Sequence, residues 1–233
     1  MRRFAALAAL LCASACGTEE GIDPVERGAE LASSPALSTS GFNQLACTDC
    51  HATGPGDERI LPGYTLAGAA ARPQWWGGQI RDLRDAVDYC LVWFMKGDPL
   101  DPGSEDARAL HAWLRDLAGD GPTEALPLTV VKKIDEAPPR GDAARGAEVH
   151  RLACEVCHGA AGTGAGRIDA APILPDQARA EALEAFPDFD PALVFTEKVR
   201  HGQFFGIGGT MPLYSLEALS DEDLGALLAF YGL

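Results

Sequence analysis

The chain has 233 residues, 47% of them hydrophobic, and a formal net charge of −15. That length holds one domain of ordinary size or two small ones. The charge, with no basic run after residue 3, argues against binding nucleic acid by phosphate neutralisation, and an acidic surface suits a basic partner or plain solubility.

Residues 1–16, MRRFAALAALLCASAC, read as an export signal. Arg2 and Arg3 form its positive end, and Phe4 to Leu11 form an apolar stretch too short to cross a bilayer as a mature helix. The stretch closes on Ala13, Ser14, Ala15 and Cys16, which resembles a bacterial lipobox with Ala13 where such boxes usually carry Leu. That resemblance implies a lipid anchor on Cys16 and a periplasmic, membrane-tethered protein. Cleavage removes two arginines, so the mature charge is 17 − 34 = −17. Residues 17–24 then read as a polar tether.

The remaining chain repeats itself. VERGAEL (25–31) leads, after an insertion, to LACTDCH (45–51), and AARGAEV (143–149) leads directly to LACEVCHG (152–159). Arg27 stands 20 residues before Cys47 and Arg145 only 9 before Cys154, so the first copy carries 11 extra residues, of the character of SSPALSTSGFN. The boundaries expected are a first domain at 25–118, a Pro- and Gly-rich linker at 119–140 and a second domain at 141–233. Within the linker, LTVVKKI is the one stretch expected to be extended.

The periodic segments are helical. Leu83, Ala86, Val87, Cys90, Leu91 and Phe94 recur at helical spacing. Ser104 precedes acidic residues and a helix ending at Gly119, and Ser220 caps a closing helix whose first turn carries Asp221 and Asp223.

Seven cysteines must be allocated. Cys12 and Cys16 belong to the signal, Cys47 and Cys50 form one C-x-x-C pair, Cys154 and Cys157 form another, and Cys90 is left over. Each pair is followed at once by a histidine, His51 or His158. Two thiols one helical turn apart can add to the two vinyl groups of one haem, and the adjacent histidine then reaches the iron. A shared zinc site is disfavoured because Cys50 and Cys154 are 104 residues apart and each pair carries its own histidine. A thioredoxin-like site needs a βαβ context that the helical pattern lacks.

Both repeats resemble class I cytochrome c domains. The stretch RGAEVHRLACEVCHGAAGTGAGRIDAAPIL is similar to the family's first helix, haem motif and following proline, and GGTMPLYSLEALSDEDLGALLAFY to its distal loop and last helix. The resemblance implies an all-α fold of two tandem helical domains, each wrapped around one covalent haem c. Haem would then be held through Cys47, Cys50 and His51 in one domain and Cys154, Cys157 and His158 in the other.

The second axial ligand is expected to be Met211 in domain two, 53 residues after His158, in a loop where Gly208 and Gly209 permit tight backbone. His201 could compete with Met211 as a ligand, although His111, His150 and His201 all read first as surface or packing residues. Domain one has no Met-Pro loop; it has Cys90 and Met95, 39 and 44 residues after His51. Five helical residues turn about 500°, which would set the two side chains about 140° apart, so one iron would take only one of them. VDYCLVWFMKGDPL also resembles the first haem domain of thiosulfate dehydrogenases, and that resemblance implies Cys90 as the ligand. Domain two departs from that family, since Met211 lacks its Lys–Met neighbours. Trp75 and Trp76 could wall the first haem, with plain packing as the simpler role.

Two functions follow as expectations. One is an exported di-haem electron carrier serving redox partner proteins. The other is an enzyme that oxidises a small sulfur anion at a Cys90-ligated first haem. A di-haem peroxidase finds neither its larger chain nor its calcium site here.

Overall fold

A computed structural model describes residues 22–120, 123–205 and 209–233. The signal, Cys16 and Gly208 lie outside the described residues. The chain is all-α, with helices α1 (Pro24–Ala32), α2 (Cys47–Cys50), α3 (Leu83–Trp93), α4 (Glu105–Asp116), α5 (Ala143–Val149), α6 (Glu155–His158), α7 (Asp176–Ala185), α8 (Pro191–His201) and α9 (Asp221–Tyr231). Among the described residues the one β-type pairing is an isolated bridge between Trp75 and Ile80.

The sequence repeat has a physical counterpart in two helix pairs, α1 on α4 and α5 on α9. Each pair crosses at a glycine. A Cβ on Gly28 would meet the Ala109 carbonyl at 2.3 Å, and one on Gly146 would meet the Ala226 carbonyl at 2.0 Å. The backbones therefore touch where any side chain would hold them apart. The preceding arginine fastens each crossing. Arg27 lies 3.1 Å from Asp106, and Arg145 lies 2.7 Å from Asp223. The start signals also match: Asp23 and Asp142 accept from the N–H two residues on, and Ser104 and Ser220 from the N–H three residues on.

Each crossing opens onto a core. Leu31, Leu37, Leu91, Leu110, Trp113 and Leu114 are buried in the N-terminal half, while Val149, Leu174, Val199, Leu224, Leu227 and Leu228 are buried in the C-terminal half. The halves touch directly. Ile60 N–H donates to the Leu152 carbonyl at 3.0 Å, and Ala170 N–H donates to Gln44 Oε1 at 3.0 Å.

Two connecting segments take defined places. Residues 128–134 form no strand. They run as a strap whose first residue, Leu128, lines the first cavity while the next ones hold to the C-terminal half. The Thr129 carbonyl accepts from Leu216 N–H, Thr129 itself donates twice to Glu217, and the Val131 carbonyl faces His201 Nε2. The insertion at 33–43 includes a short 3₁₀ turn, Pro35–Leu37. Ser38 Oγ donates to the Met95 carbonyl at 2.7 Å and Thr39 Oγ1 to Asp98 at 2.9 Å, so the insertion braces the end of α3.

Candidate functional site

Each C-x-x-C-H motif lies against its own cavity. In the N-terminal half a cavity of about 200 Å³ is lined by Cys47, Cys50, His51, Cys90 and Met95. In the C-terminal half a cavity of about 360 Å³ is lined by Cys154, Cys157, His158 and Met211. Cys47 and Cys50 bound the single turn of α2, where Asp49 reaches back to the Ala46 N–H at 2.7 Å. Cys154 closes a π-helical turn, His150–Cys154, and Cys157 and His158 sit on α6 directly after it.

The two histidines are held alike. His51 Nδ1 lies 2.7 Å from the Tyr64 carbonyl, and His158 Nδ1 lies 2.8 Å from the Pro172 carbonyl. A carbonyl only accepts, so Nδ1 carries the proton and Nε2 keeps its lone pair. Burial also lowers both imidazole pKa values, most strongly among the causes, which favours the neutral form that binds a metal. Gly63 lies flat on the His51 ring; a Cβ there would come within 2.2 Å of it.

The thiols are free and half-buried. Burial pushes Cys47 and Cys157 up to about 11 and Cys90 and Cys154 up to about 12, and raises Cys50 further. Among the described residues no three His, Cys, Asp or Glu side chains gather as an ion site. What the cavities offer is apolar wall, paired thiols, one imidazole lone pair, and buried donors without partners. Trp75 Nε1 in the first cavity and Arg179 Nε in the second are buried with no hydrogen-bond partner. A haem is a flat apolar ring with two carboxylates, and this donor set fits it.

One expectation about α3 changes. The helix stops at Trp93, Phe94 caps it, and Lys96 takes a left-handed φ of 57°. The helical turn angle therefore does not apply to Met95, and both Cys90 and Met95 line the same cavity. Met95 is 4% exposed and packs in the core with Leu91 and Trp113, whereas Cys90 is half-buried. Trp75 and Trp76 line the same cavity.

The other histidines lie off the cavity walls. His150 is buried between the Tyr231 hydroxyl at 2.5 Å and the Gly159 carbonyl at 3.0 Å, His201 faces Glu197 and Val131, and His111 sits on α4. Arg72 was not anticipated. It is 8% exposed, donates to the Thr65 and Ala67 carbonyls, and lines the first cavity beside Trp75. Its only sequence signal is its place just before PQWW. Nor was the shared wall anticipated: Leu45, Cys50, Pro62 and Pro212 line both cavities.

The family model for cytochrome c oxidase, cbb3-type, subunit III, matches residues 141–230. A curated relative, the thiosulfate dehydrogenase of Psychrobacter arcticus, is 24% identical over 191 residues, which is 81% of this chain and 55% of the relative. The chain thus spans about half the length of that relative. The solved thiosulfate dehydrogenase (TsdBA) of Marichromatium purpuratum, in its as-isolated form, aligns with a TM-score of 0.40 and 19% identity over 74% of this chain and 44% of its own.

Proposed function

We propose that the whole chain is a di-haem electron carrier, a reading supported by the match of residues 141–230 to a cytochrome c-type family model, which implies covalent haem c. In this reading Cys154, Cys157 and His158 hold one haem and Cys47, Cys50 and His51 hold the other. When bound, each haem supplies an iron that gains or loses one electron. The chain's residues do the rest. The Cys thiols would anchor each ring covalently, the carbonyls of Tyr64 and Pro172 fix the histidine tautomers, and the buried donors Trp75 Nε1 and Arg179 Nε would meet the ring carboxylates.

The distal sides differ. Met211 would offer a soft thioether, which favours reduced iron. Cys90 would offer a thiolate, which favours oxidised iron, so the first site would hold the lower potential.

The observation that carries the proposal is the common wall. Cys50 belongs to the first motif yet lines the second cavity, with Leu45, Pro62 and Pro212 beside it. A relay needs its two centres in near contact, and this wall supports that. The chain would be exported, anchored by lipid at Cys16 on the periplasmic side, and would serve redox proteins. A redox titration with a spectrum at each step tests it: two haems with separate potentials are expected, and a single transition from one haem would overturn it.

A second reading is oxidation of a small sulfur anion at the first site. It draws on the Cys90 helix and on the name of the curated relative. Arg72 is the one arginine or lysine lining that cavity among the described residues, and its guanidinium already serves two carbonyls. That favours the carrier. Steady thiosulfate-dependent reduction of an added acceptor would reverse the preference.

A further inference from the structure

Five aromatic rings form a closed circuit beside the first cavity. Trp76 packs on Tyr89 at 5.7 Å, Tyr89 on Trp93 at 6.2 Å, and Trp93 on Phe204 at 5.8 Å. Phe204 returns to Phe94 at 6.3 Å, and Phe94 stacks on Trp76 at 5.8 Å with an interplanar angle of 1°. Trp76 and Phe94 line the cavity. Tyr89, Trp93 and Phe204 are 47%, 43% and 55% exposed, with Val92 at 36% beside them. The surface patch and the cavity therefore share a wall about one ring thick.

The circuit is costly to build. Trp76 holds a φ of 52°, a left-handed conformation that a bulky side chain rarely adopts. Gly77 and Gly78 continue that turn at φ values of 61° and 89°. Phe204 comes from the other half of the chain, and the Lys96 ammonium donates to Gln203 next to it. Single exposed apolar residues need no explanation, but contiguous Trp, Tyr and Phe rings are the residues that dominate protein interfaces.

We propose that Tyr89, Trp93 and Phe204 are the docking surface through which the first haem exchanges electrons with a redox protein that carries a basic rim around its own centre. The proposal rests on the di-haem reading above. Charge selects the partner. Along residues 84–98, the stretch that carries Tyr89 and Trp93, Asp85, Asp88 and Asp98 outnumber Arg84 and Lys96, and the whole chain carries −15. A second copy of this chain would bring like charges together, whereas a basic rim is attracted. One electron crosses per encounter, leaving one partner oxidised and the other reduced, and no bond forms or breaks.

The test uses the haem-loaded chain, reduced, mixed rapidly with oxidised equine cytochrome c, a basic probe. The variant Trp93→Gln with Phe204→Gln alters only exposed rings, and Phe42→Gln, at a 91% exposed position elsewhere, is the control. The expected result is a second-order rate roughly tenfold lower or more in the double variant, an unchanged rate in the control, and a steep fall with salt in the wild type. Rates with ferricyanide and both potentials should stay as they were. An unchanged cytochrome rate in the double variant overturns the proposal. So does equal reactivity toward succinylated, acidic cytochrome c, or a dimer in sedimentation that the double variant abolishes. A first motif without haem would overturn the underlying di-haem reading, and it would do so through the haem count, not the rate.

Discussion

The backbone N–H of Met95 donates to the carbonyl of Cys90 at 3.1 Å, closing a turn one residue wider than that of an α-helix. Gly97 N–H then reaches the Leu91 carbonyl at 3.0 Å. The end of α3 thus curls over, and two sulfurs that a straight helix would separate line one cavity. The two sulfurs have different tasks in the di-haem reading. Cys90→Ala should change the ferric spectrum and raise the potential of one haem. Met95→Ala removes a core side chain and should cost about 2–5 kcal/mol of stability, with the ferric spectrum kept. Loss of a thioether charge-transfer band in Met95→Ala, with Cys90→Ala silent, would make Met95 the ligand.

The glycine crossings give a stability prediction. Gly146→Ala drives a methyl group into the Ala226 carbonyl. Denaturant unfolding of the haem-loaded chain should show a loss of about 1–3 kcal/mol, as overpacking does. Gly28→Ala should behave alike, because its neighbours are Ala109 and Trp113 in the same arrangement. Gly54→Ala, where a Cβ meets nothing within 4 Å, should leave the midpoint close to wild type.

The strap responds to acid. Glu217 accepts from Thr129 N–H at 2.9 Å and from Thr129 Oγ1 at 2.6 Å. Burial works to raise its pKa, but these bonds outweigh it and hold the carboxyl at about 2, below its usual 4.5. The folded pKa is the lower one, so the stabilisation is present above about 4.5 and is lost as pH falls from there toward 2. Amide-exchange protection at Thr129, corrected for intrinsic rates, should fall across that window, and Glu217→Gln should remove the pH dependence.

The anchor has its own test. Cys16→Ser should release soluble protein or leave the precursor uncleaved. A wild-type protein that is soluble and begins at another residue would remove the lipid anchor and leave a free carrier.

How much of this was legible in the sequence depended on how local the cause was. The C-x-x-C-H motifs declare their chemistry by spacing alone. The two RGAE stretches could be matched because the same crossing demands a glycine at 28 and at 146, with an arginine before it. Ser104 and Ser220 announced their helices through the acids that follow. The direction of Met95 was hidden, because Gly97 signals that α3 ends but not that the chain closes back on Cys90. The shared wall at Cys50 and Pro212, the strap at 128–134 and the ring circuit completed by Phe204 arise where residues far apart in sequence pack together. No periodicity encodes such contacts. The insertion at 33–43 looked like a polar loop because its purpose, bracing Met95 and Asp98 from Ser38 and Thr39, lies some 57 residues downstream.

Whether each motif carries one haem is decided by the intact mass of the matured chain. Expressed with working haem-attachment machinery, the wild type should gain the mass of two haems. Cys47→Ala with Cys50→Ala should gain one and keep the spectrum of the Met211 side. A wild-type gain of one haem or none, or a double variant that still carries two, would contradict the account.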